Sequence, residues 1–491
     1  MNPRSTVLVL LVLAALGAYV YWVELPGDTQ KSEEERLLVL DEEAVTGISL
    51  TFPDRKLVLA KNDDGWRLTE PVDAGADATA VKNLLHVIGG AKITRTLEDV
   101  DDKLASYGLE EPAAVLALTT SDGTNPPALK VGEATSVGFS SYAQRSDDPN
   151  VYITAATFRS GMLKEPHDLR DKRVLIFEDQ DVQRIGLVHA GEGEVETLVL
   201  ERPDANTDWQ ITAPAKYAAD GSETRALLSS TRGIRITDFV SDEADVDLAP
   251  YGLDTPRLAL TIGTGEDDPP QTLLLGGAHV DEEKKEIYAK RTDTAAIYSI
   301  PEFALKNLGK DLTTLRDKTV VRYDADAAAT IEVTRVDGAG FILAKADDGW
   351  HFQVSDGGDD GNEAEGTERA PTISRFVDDL HGFKGNLIVR EGGFDLSAFR
   401  LDPPELRIAI RDGDGTELGA LIASGGTVEG KDAIAYVMAQ GSEILYAAKP
   451  YVFQRIDKKA ADFRDTPNAA ATPMPGGAPP APAAPPAAPP A

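Results

Sequence analysis

Two stretches of the chain read almost alike, Trp66-Arg-Leu-Thr-Glu-Pro71 and Trp209-Gln-Ile-Thr-Ala-Pro214. The two tryptophans lie 143 residues apart, and Trp350 follows 141 residues after the second. The lead-in also recurs, because Ala-Asp-Asp-Gly-Trp350 repeats Asn-Asp-Asp-Gly-Trp66. A period of this length exceeds the roughly 20–50 residues of a solenoid unit. The pattern therefore predicts three copies of a whole domain.

Further landmarks follow each tryptophan in a fixed order. An aspartate comes first, then a Leu-Leu pair, then Tyr-Gly-Leu-x-x-Pro, and finally Leu-Arg-Asp-Lys. In the first two copies the single-residue landmarks are Asp77, Tyr107, Gly108, Pro112, Arg170 and Asp171, and then Asp220, Tyr251, Gly252, Pro256, Arg316 and Asp317.

The third copy is degenerate but keeps the order. Its landmarks after Trp350 are Phe399, Pro404, Arg464 and Asp465. An acidic, glycine-rich insertion at residues 356–368 moves its helix back by about eight residues, so that Phe376-Val377 aligns with the Leu-Leu pairs. Arg400 replaces the glycine of the Tyr-Gly-Leu motif. If that position needs a positive φ, we expect this copy to turn differently.

The local pattern of the first copy predicts an α+β domain of mainly antiparallel strands with one clear helix. Apolar residues alternate over 48–52 and 57–61 around a Pro-Asp turn, and a second turn precedes Trp66. Asp77 is a good N-cap for a helix whose apolar residues fall on one face, and a glycine pair ends that helix. More strands are expected over 115–119, 129–131, 142–145 and 151–153.

An uncharged segment, residues 7–23, precedes the copies. Its 17 residues form about 26 Å of helix against a hydrocarbon core of roughly 30 Å. Arg4 precedes the segment and acidic residues follow it, which predicts a cytoplasmic N-terminus. A cleaved signal peptide is the alternative, but Tyr, Val and Trp occupy the place of a small-residue cleavage site.

These features divide the chain into six parts. We expect a transmembrane anchor at 1–25, a linker at 26–40, repeat domains at 41–176, 177–322 and 323–465, and a disordered tail at 466–491. The tail contains 10 proline and 10 alanine residues and no charge, so it cannot bury a core.

Composition excludes several classes of function. The net charge of −33 argues against nucleic acid as a partner, since phosphate binding needs a basic surface. The absence of cysteine excludes disulfide scaffolds and thiolate chemistry. The six histidines are scattered, and the common catalytic and nucleotide-binding motifs are missing. The sequence thus predicts no catalytic residue, cofactor or metal site, although calcium at 356–365 or 412–417 is an alternative.

The landmarks themselves favour structural roles. A tryptophan at the start of a strand in every copy is typical of a core residue, with a sugar-stacking platform as the alternative. Tyr-Gly-Leu-x-x-Pro predicts a turn. Leu-Arg-Asp-Lys at each domain boundary predicts a cap or an ion pair between one domain and the next, rather than a catalytic use.

This order of motifs after an N-terminal anchor resembles the bacterial domain-of-unknown-function 4340 family over residues 41–465. The resemblance implies an envelope protein, often encoded beside ABC-transporter subunits and gliding-motility-type auxiliary proteins. It supplies no catalytic residues. We therefore expect a non-enzymatic, single-pass protein of the bacterial inner membrane, with its bulk periplasmic, that serves an ABC-type transport or gliding-motility-like complex. A polysaccharide-binding module and an envelope hydrolase with two close carboxylates are the alternatives.

Overall fold

The computed structural model describes residues 36–136, 138–190, 195–265, 268–279, 282–353, 368–424 and 434–464. The described chain forms three sheets of antiparallel strands, together with short helices. The predicted α+β class is confirmed at this level. The predicted membrane anchor and the Pro/Ala tail lie outside the described residues.

The first sheet has nine strands in the order β4-β3-β2-β1-β6-β7-β8-β9-β5. The strands are β1 (Val45–Thr51), β2 (Lys56–Asn62), β3 (Gly65–Glu70), β4 (Ala74–Gly75), β5 (Ile93–Leu97), β6 (Ala114–Thr120), β7 (Leu129–Ala134), β8 (Ser140–Arg145) and β9 (Val151–Ala155). The accompanying helices are α1 (Ala78–Gly89), α2 (Ala156–Met162) and α3 (Pro166–Leu169). Two edge strands, β4 and β5, and the two short helices were not predicted from the sequence.

The chain divides into two compact units, and the division falls within the second copy. Residues 226–309 and the segment before residue 198 belong to the first unit, whereas residues 198–225 group with the chain from residue 310 onward. The second copy contains β10 (Arg184–Ala190), β11 (Val195–Glu201), β12 (Gln210–Ala213), β13 (Tyr217–Ala218), β14 (Asp238–Ser241), β15 (Leu258–Gly263), β16 (Gln271–Ala278), β17 (Glu286–Arg291) and β18 (Ile297–Pro301).

Both parts of the second copy repeat the first sheet. In the first unit the order β10-β15-β16-β17-β18-β14 matches β1-β6-β7-β8-β9-β5, and in the second unit β13-β12-β11 matches β4-β3-β2. The helices of this copy are α4 (Gly221–Gly233), α5 (Phe303–Leu308) and α6 (Leu312–Leu315).

The third sheet has eight strands and lacks a counterpart of β4 among the described residues. Its order is β21-β20-β19-β23-β24-β25-β26-β22. The elements are β19 (Thr330–Arg335), β20 (Gly340–Ala346), β21 (Gly349–Gln353), α7 (Ala370–His381), β22 (Leu387–Glu391), β23 (Leu406–Arg411), β24 (Glu417–Ala423), β25 (Ala435–Ala439), β26 (Ile444–Ala448) and α8 (Pro450–Phe453).

The long helix of the first copy forms as its sequence predicts. The Asp77 carboxylate accepts hydrogen bonds from the backbone N–H groups of Thr79 (2.8 Å) and Ala80 (3.1 Å), and Gly90 is the C-cap. The buried face of α1, including Leu84 and Leu85, packs in one core cluster with the sheet. Phe376 occupies the same place in α7, being the seventh residue after the N-cap, as Leu84 is in α1.

The turn before β23 corrects one expectation. Gly108 and Gly252 have φ of 64° and 63°, so the Tyr-Gly-Leu turn does need the left-handed region. Arg400 has φ of 59° and ψ of 37°, and the third copy therefore turns in the same way. The expectation of a different turn is wrong, because a non-glycine residue accepts the left-handed conformation there at a cost of about 1–2 kcal/mol.

Within the seven ranges given above, no helix is both long and apolar enough to cross a bilayer.

Candidate functional site at the repeat junctions

The Leu-Arg-Asp-Lys motifs, residues 169–172 and 315–318, are here called the junction motifs. The backbone of the first motif returns to the start of the long helix of its own copy. Leu169 O accepts from Asp77 N at 2.8 Å, and Asp171 N donates to Gly75 O at 2.9 Å. Asp77 and Asp171, both predicted landmarks, are thereby brought together.

The side chain of Arg170 reaches forward into the second copy. Its guanidinium donates to both carboxylate oxygens of Asp242, at 2.9 and 2.8 Å, and lies 3.4 Å from the centre of the Phe239 ring. Arg170 is 5% exposed. Such a two-pronged, charge-assisted contact is both strong and directional. The motif predicts a cap or an ion pair between successive copies, and an ion pair is present at this junction.

The second junction motif repeats the arrangement within the second unit. Asp220 N donates to Leu315 O at 2.7 Å, and Asp317 N donates to Ala218 O at 2.9 Å. Arg316 forms an ion pair with Glu391. Glu391 is the last residue of β22, and Asp242, the partner of Arg170, lies at the matching place just after β14. Here the guanidinium stacks on Tyr217, 3.8 Å from the ring centre.

A buried carboxylate distinguishes the second junction from the first, where Asp77 is only partly buried. Asp220, 4% exposed, caps α4 through Ser222 N (2.9 Å) and Glu223 N (3.2 Å). Its second carboxylate oxygen accepts from Lys384 Nζ of the third copy at 2.7 Å. Burial alone would raise the pKa of the Asp220 carboxyl, but hydrogen bonds from Lys384, Ser222 and Glu223 outweigh it and lower this pKa to about 2.

The junction at the end of the third copy keeps the backbone part of this pattern. Arg369 N donates to Phe463 O at 2.9 Å, as Asp77 and Asp220 do to their leucines. Arg369 replaces the capping aspartate and makes no side-chain cap. The Arg464 guanidinium lies 4.5 Å from the ring centre of Phe352 in its own copy, and Asp465 is outside the described residues.

The tryptophan landmarks face the domain cores. Trp66 and Trp350 are partly buried and pack against the core clusters of the first and third copies. Trp209 is 7% exposed, and Arg202 covers it at 4.7 Å from the ring centre. The prolines that follow, Pro71 and Pro214, are both preceded by cis peptide bonds.

The face of each sheet that points away from the main core is here called the second face. The Tyr-Gly-Leu segments cover it with a small apolar cluster. Tyr107 packs on Tyr142, Tyr251 on Tyr288, and Phe399 on Tyr436, with ring centres 4.7, 4.9 and 5.0 Å apart. The prolines that end these segments, Pro112, Pro256 and Pro404, are each separated from the next strand by one residue. The predicted turns thus also cover the second face of each sheet.

The remaining polar groups show little that sequence reasoning missed. His351 hydrogen-bonds to Asp348 (2.8 Å) and Glu368 (3.1 Å), which raises the pKa of its imidazole. Only the Asp348 spacing could have indicated this. Asp412 accepts from Asp414 N and Thr416 N, as expected of a turn residue. Among the described residues, no group of three or more His, Asp or Glu side chains is placed to hold a metal ion.

The described residues thus form three similar β-rich copies, and Arg170 and Arg316 each contact a carboxylate of the following copy. The family model described as "Domain of unknown function (DUF4340)" matches residues 66–207 and 209–384. The chain therefore belongs to the DUF4340 family. Each match begins at a landmark tryptophan, so that each starts within one copy and ends within the next. No curated protein and no solved structure matches the chain.

Proposed function

We propose that the protein is a non-enzymatic accessory or scaffold protein of an ABC-type transport or gliding-motility-like complex. It would be anchored in the bacterial inner membrane by residues 7–23, with the repeat domains on the periplasmic side. One observation carries the proposal. The landmark tryptophan of each copy is buried or packs on a core, the landmark Tyr or Phe packs on a tyrosine, and the buried Arg170 joins one copy to the next.

The charge distribution supports the orientation. Residues 7–23 have Arg4 on one side and a run of acidic residues on the other. A reporter enzyme fused after residue 465 should therefore be active only outside the cytoplasm. A fusion that is active only in the cytoplasm would contradict the orientation.

Co-purification tests the partner. The tagged full chain, solubilised in a mild detergent, should enrich ABC-transporter subunits in quantitative mass spectrometry. The matched control carries residues 1–40 fused to an unrelated soluble domain, which keeps the anchor and removes the copies. Equal recovery of transporter subunits with both proteins, or with neither, would overturn the proposal.

The polysaccharide-binding alternative has less support from the tryptophans. Stacking on sugars needs an open aromatic face, whereas Trp209 is 7% exposed and Trp66 packs on a core. Binding of a glycan array that is lost on Trp66→Ala, with the fold intact by circular dichroism, would favour that alternative.

A further inference from the structure

The third copy has a cavity of about 470 Å³ on the second face of its sheet. Its volume falls in the range of roughly 300–1,000 Å³ that is usual for small-molecule sites. Leu401, Ile422 and Met438, each at most 5% exposed, form an apolar floor. Asp402 and Glu443, both exposed, lie among the lining residues and form the rim.

Strand register shows what is particular to this copy. Three paired positions cross the second face of each sheet, one strand after another. They are Val115, Lys130 and Gln144 in the first copy, Ala259, Leu274 and Lys290 in the second, and Arg407, Ile422 and Met438 in the third. The last position is polar in two copies and apolar in the third.

The polar residues at this position each donate a hydrogen bond to a backbone carbonyl of their own copy. Gln144 Nε2 donates to Pro149 O at 3.0 Å, and Lys290 Nζ donates to Ala295 O at 3.0 Å. The corresponding carbonyl in the third copy belongs to Glu443, five residues after Met438. It accepts from the backbone N–H of Gly392 at 3.0 Å. A loop amide thus replaces the side chain, which allows Met438 to be apolar under an open cavity.

The uncompensated charges at the cavity are negative. Arg407 donates to Gln440 (2.8 Å) and to the Glu417 carboxylate (2.6 Å), so its charge is compensated. In the described part of the chain, neither the Asp402 nor the Glu443 carboxylate has an ion-pair partner. An apolar floor under two uncompensated carboxylates favours an apolar group that carries a positive charge.

We propose that this cavity binds a small organic cation, with an apolar ring or short chain on Met438 and Ile422 and its ammonium group beside Asp402 and Glu443. A methionine floor also suits an aromatic ring, since sulfur–aromatic contacts are favourable. The proposal does not depend on the scaffold role.

Methionine methyl NMR tests the proposal on the full chain in lipid nanodiscs, with empty nanodiscs as the blank. The chain has four methionines, and Met162, fully buried in the first copy, serves as the internal reference. The probes are 2-phenylethylammonium, 3-phenylpropionate and 2-phenylethanol. We expect saturable shifts of the Met438 methyl with the ammonium probe at about tenfold lower concentration than with the carboxylate, and no shift of Met162.

Variants separate the cavity from general attraction to an acidic protein. D402N/E443Q should weaken binding of the ammonium probe by about tenfold and leave 2-phenylethanol unchanged. The matched control is E110Q, because Glu110 is exposed and holds the position of Asp402 in the first copy. M438K, which installs the residue type of Lys290, should abolish calorimetric binding of all three probes.

Three results would overturn the proposal. They are equal affinity for the ammonium and carboxylate probes, equal weakening by E110Q and D402N/E443Q, and Met438 shifts that do not saturate. If M438K does not fold, the surface variant D402N/E443Q decides the question alone.

Discussion

At the residue scale, comparison of the three copies shows that Arg400 adopts a strained, left-handed backbone conformation. Two copies use glycine at this turn, and the third holds arginine at φ 59°. We expect Arg400→Gly to stabilise the third copy by about 1 kcal/mol, since the relieved strain exceeds the added unfolded-state entropy. Urea unfolding followed by Trp350, with the other three tryptophans replaced by phenylalanine, measures the change. Arg400→Ala is the control, and equal stabilisation by alanine would assign the effect to the guanidinium.

The pair of Arg170 and Asp242 predicts an asymmetry between two single substitutions. Asp242→Ala leaves a buried guanidinium without its carboxylate and should cost about 3 kcal/mol. Arg170→Leu leaves an aspartate whose side chain is 36% exposed and can be hydrated, so we expect a cost of about 1 kcal/mol. Hydrogen exchange of β14 amides reports both. Equal costs would show that the burial of the arginine contributes nothing.

At the element scale, most helices and strands that depend on local sequence patterns could be predicted from the sequence. Helix α1, its Asp77 cap and the strands around Trp66 follow from alternation, capping and turn residues. The edge strands β4 and β5 were missed for different reasons. β4 has only two residues, too few to show an alternating pattern, and β5 pairs with β9, more than 50 residues further along the chain. Arg170 was placed at a junction, but its partner lies 72 residues away, and no local pattern indicates Asp242.

The start of helix α4 predicts a dependence on acid. The folded pKa of Asp220 is about 2, below the unfolded value of about 3.9. A lowered folded pKa means that the carboxylate stabilises the protein above pH 4 and that this contribution is lost as the pH falls toward 2. The loss amounts to about 2 kcal/mol. Urea unfolding followed by Trp209 at pH 5 and at pH 2.5 should show it.

Two variants identify the source of that acid effect. Lys384→Met removes the cation that holds the carboxylate ionised, so we expect a smaller difference between the two pH values. Asp220→Asn should remove the difference contributed by this group. If the parent chain and Asp220→Asn lose stability in parallel, other carboxylates cause the effect.

At the scale of the whole molecule, the copies seen in the sequence and the compact units of the structure do not coincide. The repeat predicts a boundary near residue 176, whereas the division between units falls within the second copy. The family matches also run from one copy into the next. The repeat thus defines similar stretches of sequence. Contacts such as that of Lys384 with Asp220 show which parts of the chain stabilise each other, and these parts cross the boundaries between copies.

Truncation after Arg322 tests this dependence. The shortened chain keeps the junction motif of the second copy and lacks Lys384 and Glu391, so Asp220 and Arg316 both lose their partners. We expect amide exchange in residues 209–225 to accelerate at least tenfold, because a buried carboxylate and a guanidinium that is only 11% exposed lose their ion-pair partners. Amides of β1 and β2 in the first unit serve as the control. Unchanged exchange in residues 209–225 would show that the second copy is stable without the third, and the copies would then be independent domains.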